Sequence, residues 1–401
     1  MSIKKLILFF YKLALLLYYN FLSFFSCIII KIYFNNFFLN YDIYLISNYN
    51  KNLNNYIDEL KTNSWGFLYS KSASKPTLYG TVYALMTKSI LGINIISNNE
   101  ESKSLEKYLN SFQDPKSGLF VDPLIDGDFF RESNWWGAKH LAVHVCTLYT
   151  YFNFQPSYRF SFLDDYYSNS FIDKWLSRFD WNSRKIGDTD IDNEIMNICS
   201  LMQFVRDRNL HDAKKAEIAL IYIKSKLMGF RNRHTLWGGF DLSDPAERSR
   251  MVQFAYHLLV IFAYDDELSH FDANLIIDIC LMTQNKVGGF GIKLNSSACE
   301  DIDSIDIMIR FAPLSDLDRK IKVEQSLKKA LCWIYFNKDR YGGYKFKFGE
   351  PFIYGHKLVG SGILEGGLMP TWFRTLSLAY IYNFLNINNN FKLKRTPGYE
   401  F

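Results

Sequence analysis

Gln284-Asn285-Lys286-Val287-Gly288-Gly289-Phe290-Gly291 is the stretch on which the reading of this chain turns. Glycine supplies a turn with a backbone conformation that side chains disfavour, and the aromatic beside it offers an apolar face to the next element. The same phrase recurs: a Gly next to an aromatic, a short polar loop, then an apolar stretch with helical spacing. Its instances begin at Trp65-Gly66-Phe67, Gly118-Leu119-Phe120, Gly238-Gly239-Phe240, Gly288-Gly289-Phe290 and Gly342-Gly343-Tyr344, with steps of 53, 120, 50 and 54 residues measured from Trp65, Gly118, Gly238, Gly288 and Gly342. The long step has room for one more unit, and Gly187, followed by Asp188-Thr189-Asp190 and the run 191–205, sits near its middle. Units of about fifty residues are long enough for two helices and their loops. The runs 251–264 and 372–385 have helical length and few strand-like alternations. Six helical hairpins side by side bury their inner faces best if they close into a ring. The expected fold is therefore all-α, an (α/α)6 toroid of six helical-hairpin repeats over residues 61–385, preceded by an N-terminal apolar helix.

Composition agrees with a globular body. The 401 residues are 48% apolar and 22% charged with a net charge of +5, which excludes disorder, collagen and coiled coil. No Lys/Arg block tracks a phosphate backbone, so nucleic acid is not an expected partner. Cys27, Cys146, Cys199, Cys280, Cys299 and Cys332 include no C-x-x-C pair, so reduced thiols in a cytosolic setting are expected rather than a disulfide framework or a zinc knuckle. Aromatics reach 17%; they furnish a core or an aromatic-walled cavity, or reflect A+T-rich coding. At the N-terminus, residues 13–30 run eighteen positions without a charge, just the length that spans hydrocarbon. Residues 1–40 read as an apolar N-terminal helix or membrane anchor, which spans the bilayer, lies on it or packs against the body. The expected location is membrane-associated, with the toroid domain on the cytoplasmic side. Residues 41–60 read as an Asn-rich, turn-prone connection, and 386–401 as a polar, mostly unpacked C-terminal tail.

The segment 284–291 resembles the Q-x-x-x-G-x-W repeat of squalene-hopene cyclases and the Gly-Gly-aromatic repeat of protein prenyltransferase β-subunits. Gln113 to Phe120 is a looser copy, with one extra residue before Gly118 and Phe in place of Trp. The resemblance implies acid-initiated cyclisation or transfer of a polyprenyl or other apolar substrate. Because α/α toroids host unrelated chemistries, two other readings stay open: a carbohydrate-active toroid that acts on or binds a glycan, and a non-catalytic helical-repeat scaffold.

Two acidic helix starts are the best candidates for chemistry. Ser297 and Glu300 have capping-box spacing, which starts a helix at Ser297. Ile302, Ile305 and Ile309 then form one apolar stripe, with Cys299, Asp303, Asp306 and Arg310 beside it and Asp301 and Ser304 pointing elsewhere. A carboxylic acid kept protonated in an apolar chamber can protonate an alkene or epoxide. Asp301-Ile302-Asp303-Ser304 resembles the D-x-D-D motif of class II terpene cyclases. The resemblance makes Asp303 the proton donor, while Ser304 stands where the family has the tuning carboxylate; Asp306, one turn on from Asp303, and Asp301 are the acids expected to tune it here. The plainer alternative pairs Asp306 with Arg310 along the helix and leaves the other acids to solvent. The second cluster, Asp188, Asp190 and Asp192, would open onto the same mouth in a ring. It suits substrate binding, Mg²⁺ with a diphosphate, or carboxylate-pair chemistry on sugars, or else is a solvated helix start.

Trp135 and Trp136 offer rings to a glycan. His140 and His144 share one helix face as cavity-lining residues, with Leu141 where a zinc protease has Glu. The prenyltransferase zinc set resembles this chain only at Cys299 and His356, with Ser297 in place of Asp, so no metal is assigned and Mg²⁺ is the single cofactor considered. The glycine-rich insertion 341–367, with Lys345, Lys347, Glu350, His356 and Lys357, reads as a solvated surface loop or a lid.

Overall fold

The structure, a computed structural model, describes residues 49–63, 65–125, 133–232 and 236–399, together with seven positions between 18 and 30. Apart from those seven, the apolar segment 1–40 lies outside the described residues. No helix among the described residues is long and apolar enough to cross a membrane.

The chain is all-α. Its helices are α1 (Tyr49–Asp58), α2 (Leu78–Ile90), α3 (Asn99–Asn110), α4 (Ala138–Phe152), α5 (Asn169–Leu176), α6 (Ile191–Asp207), α7 (Ala213–Gly229), α8 (Pro245–Tyr264), α9 (Ala273–Leu281), α10 (Ala298–Phe311), α11 (Leu317–Phe336) and α12 (Leu368–Phe384). A small antiparallel hairpin, β1 (Phe352–Ile353) with β2 (Gly360–Ser361), pairs Phe352 with Ser361 in the connection before α12. The even-numbered helices are buried almost all round, whereas the odd-numbered ones bury one stripe and expose the rest. A helix covered on every side must lie inside a shell of others. Accordingly α2 packs on α4, α4 on α6, α6 on α8, α8 on α10, α10 on α12, and α12 back on α2.

The glycine-aromatic turns connect an odd helix to the next even one and share one construction. Isolated antiparallel bridges close them at Lys61 and Phe67, Gln113 and Phe120, Gln284 and Phe290, and Lys338 and Tyr344. Gly288 has φ +98°, and a Cβ there would stand 2.3 Å from the Lys329 carbonyl oxygen on α11. A side chain is thus excluded both by its own backbone and by the neighbouring helix. The Gln284 amide completes the joint, donating to Gly288 O at 2.9 Å and to Ser326 O at 2.9 Å. Gln113 repeats this with Gly118 O at 2.8 Å and Tyr158 O at 2.9 Å. The turn near Gly187 departs from the pattern: it is a 3-10 helix over Arg184–Asp188.

Two segments fold where the sequence suggests none. Within the Asn-rich stretch 41–60, α1 forms because Leu53, Tyr56 and Ile57 fall on one face and are buried, so apolar spacing overrides the turn preference of Asn. The tail also packs: Phe391 and every residue from Thr396 to Tyr399 are buried. Lys394 Nζ donates to the Thr150 and Tyr151 carbonyls, and Arg395 reaches the Tyr264 carbonyl and Asp266. Cations on the last turns of α4 and α8 meet orphan carbonyls at the negative helix ends.

Candidate active site

A cavity of about 410 Å³ opens where the N-terminal ends of α6, α8, α10 and α12 converge. The helix starts place its polar groups. On α10, Ser297 accepts from Glu300 N while Glu300 accepts from Ser297 N at 2.8 Å, so the capping box is formed. It aims the first turn of α10, with Cys299, Glu300 and Asp303, along the cavity wall. Rings from Trp135, Tyr256, Phe346, Tyr354, Phe373 and Tyr399 complete much of the lining.

Asp303 is 4% exposed and makes no hydrogen bond to any described residue. Burial, and then the charges of Glu300 and Asp306, push its carboxyl well above the usual carboxylate range. Its ionised form has lost water and gained two like-charged neighbours, which favours the protonated acid. Asp301, two residues earlier, has the opposite surroundings. Its Oδ1 accepts from Phe290 N at 2.9 Å and Ser296 Oγ at 2.7 Å, and its Oδ2 from Trp333 Nε1 at 2.9 Å and Arg374 at 2.8 Å. Four donors occupy this carboxylate, which joins α10, α11 and α12 and does not line the cavity. Asp306 is also off the cavity wall and pairs with Arg310, Oδ1 to Nε at 2.6 Å; burial raises its acid, with Arg310 opposing.

The second cluster divides in the same way. Asp190 lines the cavity at its exposed rim and accepts from Asn134 Nδ2 at 3.1 Å. Asp188 is exposed and off the wall. Asp192 is fully buried and grips α8: Arg250 donates to both of its oxygens at 2.9 and 2.8 Å, and His257 Nδ1 lies 2.8 Å from Oδ2. Burial alone would raise this acid, but the His257 bond and the Arg250 charge more than offset it and hold the carboxyl below its ordinary range. Because a carboxylate only accepts, His257 Nδ1 carries the proton of that bond, and the rest of the ring lines the cavity.

Of the paired aromatics and histidines, Trp135 and His140 line the cavity, while Trp136 and His144 lie behind it. His140 Nδ1 is 2.8 Å from Asn197 Oδ1, and Asn197 donates to the Asn134 carbonyl, so the amide must accept from the imidazole. Burial, only partly opposed by the Asn197 bond, lowers His140 to about 4 and keeps it neutral. The insertion 341–367 is wall rather than solvated loop, since the β1–β2 hairpin sets Phe346, Lys347 and Tyr354 against the cavity. Arg250 and His257 escape a motif search, although two basic groups seven apart bordering and interrupting the apolar run 251–264 are a legible irregularity. Tyr399 carries no such signal.

Comparison with protein-family models, with curated proteins and with solved structures returns no match. The site therefore stands on its own chemistry. Its acids are distributed rather than gathered: among the described residues, no group of three or more His, Cys, Asp or Glu side chains is arranged to hold a metal ion.

Proposed function

We propose that this chain is an (α/α)6 toroid enzyme whose central chamber starts a reaction by protonating an apolar, unsaturated substrate, in the manner of a terpene cyclase. The observation that carries the reading is Asp303, a buried carboxyl without a hydrogen-bond partner among the described residues, in the wall of an aromatic-lined cavity. The circuit of even-numbered helices from α2 to α12 and back supports the toroid, with those helices as its inner layer and the odd-numbered ones as its outer layer. In the reaction, the Asp303 O–H bond breaks as its proton forms a C–H bond at one alkene carbon. Positive charge develops at the other carbon, where ring faces stabilise it. A later C–H bond gives up its proton to His257 Nε2, whose Nδ1–H is held by Asp192, and the electron pair closes a new alkene. Asp303 regains a proton from solvent.

The test is incubation with squalene and geranylgeraniol in D2O, with products read by mass spectrometry. A cyclised product carrying one deuterium on the protonated carbon is expected, absent with Asp303→Asn. An equally active Asp303→Asn enzyme sinks the proposal. A second reading, binding of a glycan, is favoured by the polar side chains of Asp190, Asn193, Arg250, Gln253 and Lys347 in the chamber lining. Thermal shift with oligosaccharides against polyprenols separates the two.

A further inference from the structure

The tail follows a path that no surface tail would take. Lys392 N donates to the carbonyl of Ile90, the last residue of α2, at 2.8 Å. Lys394 and Arg395 then bind the last turns of α4 and α8. Gly398, with φ +83°, comes so close to the middle of α4 and α6 that a Cβ would meet Val143 at 2.8 Å and Ser200 at 3.0 Å. Tyr399 arrives at the first turns of α4 and α12. Its hydroxyl is 3.3 Å from His140 Nε2, and its ring lies 4.8 Å from Trp372, 5.8 Å from Phe373 and, stacked, 5.0 Å from His144. Step by step the segment climbs between the even-numbered helices, from their C-terminal ends toward the cavity.

We infer that residues 391–399 plug the space between these helices from below, and that Tyr399 is the floor of the chamber and sets the length of ligand it accepts. Two observations make this more than tight packing. The side chain belongs to the cavity lining and to the packed layer beneath it at once. That lower layer also holds polar atoms without a hydrogen-bond partner among the described residues: both ring nitrogens of His144, a fully buried residue, and Trp372 Nε1. Buried groups left in this state are costly in a closed core, and they mark the layer beneath Tyr399 as space that a longer ligand enters once that ring is removed. The Tyr399 hydroxyl donates to His140 Nε2, the free acceptor once Nδ1–H is engaged by Asn197, so the floor is fixed in orientation as well as position.

This rests on the chamber being a ligand site, as proposed above, but not on Asp303 being its acid. Its test is accordingly a binding experiment without turnover. The full chain is titrated with hexan-1-ol, octan-1-ol, decan-1-ol and dodecan-1-ol, read by thermal shift and calorimetry. In the wild type, affinity should stop rising with chain length once the ligand meets Tyr399. In Tyr399→Ala the plateau should move to longer alcohols, with dodecan-1-ol bound about tenfold tighter, the gain expected for about two more buried methylenes. Lys394→Gln with Arg395→Gln leaves the chamber wall intact and loosens the plug's anchors. It should move the plateau the same way, and it decides the matter if Tyr399→Ala does not fold. An unchanged plateau in the folded variants overturns the floor. Absence of alcohol binding by every protein overturns the ligand chamber itself, and Asp303→Asn turnover then bears only on the acid.

Discussion

The starts of α6 and α10 read almost alike as sequence, three or more carboxylates each within a few residues of a helix N-terminus, yet they stand in different surroundings. Each start spends acid on architecture: Asp192 holds Arg250 and His257 of α8, and Asp301 holds Arg374, Trp333, Ser296 and Phe290. Each also faces the cavity, α6 with Asp190 and α10 with Glu300 and Asp303. The difference lies in water. Asp190 stands at the exposed rim with Asn134 beside it, whereas Asp303 is enclosed among Cys299, Glu300 and rings. Position at a helix start explains why acids are tolerated in both places; access to solvent decides which of them is pushed toward its protonated form.

The comparison breaks most visibly at Asp303. Asp303→Asn should lower turnover of squalene or geranylgeraniol in D2O by roughly 10²–10⁴-fold, while Asp190→Asn still yields the product carrying one deuterium. Stability should move the other way. A folded-state acid raised above its unfolded value keeps its proton at pH values where the unfolded chain has released it. Wild-type stability therefore falls as pH rises from the ordinary carboxylate range to the folded value. Asp303→Asn lacks that slope, so its melting temperature should match the wild type at acidic pH and exceed it at neutral pH. A constant difference across pH contradicts a protonated Asp303.

Next comes the structural acid of α10. Arg374→Met leaves the fully buried Asp301 charge without its cation and should cost about 3–5 kcal/mol by urea denaturation. Adding Asp301→Asn should recover part of that loss. Ser297→Ala removes the capping side chain and should cost about 1 kcal/mol, in the same assay. The smallest effect belongs to the solvated rim, where Asp190→Asn should stay within about 0.5 kcal/mol of the wild type. A larger loss there would erase the contrast between the two helix starts.

Much of the frame is legible from residue order. The Gln284–Gly291 phrase encodes its own turn, since the glycine, the bridge to Phe290 and the amide staple all depend on neighbours a few residues away. The capping box at Ser297 is legible for the same reason. The roles of the individual acids are not. Asp301 is defined by Trp333 and Arg374, which are 32 and 73 positions away, and Asp303 by the absence of any such partner. Local spacing sorts Asp301 away from Asp303 by direction but cannot say which direction is saturated. Likewise α1 hides behind asparagines, and the tail's polar composition conceals that Lys394 and Arg395 are matched to carbonyls on distant helices.

The joint between α12 and α2 has a consequence in time. Tyr56 donates to the Gly366 carbonyl at 2.8 Å across 310 residues of chain, and Gly342 seats against the Asn52 carbonyl of α1. A ribosome adding roughly 5–20 residues per second needs about 15–60 s to deliver the partner that α1 is waiting for. Until then the early helices present an apolar edge meant for the last hairpin, and a second nascent chain offers a substitute. Contacts of such span also make closure slow. Refolding should therefore show its largest concentration-dependent losses before the final hairpin docks, and a chain cut after α11 should aggregate rather than persist as a stable arc.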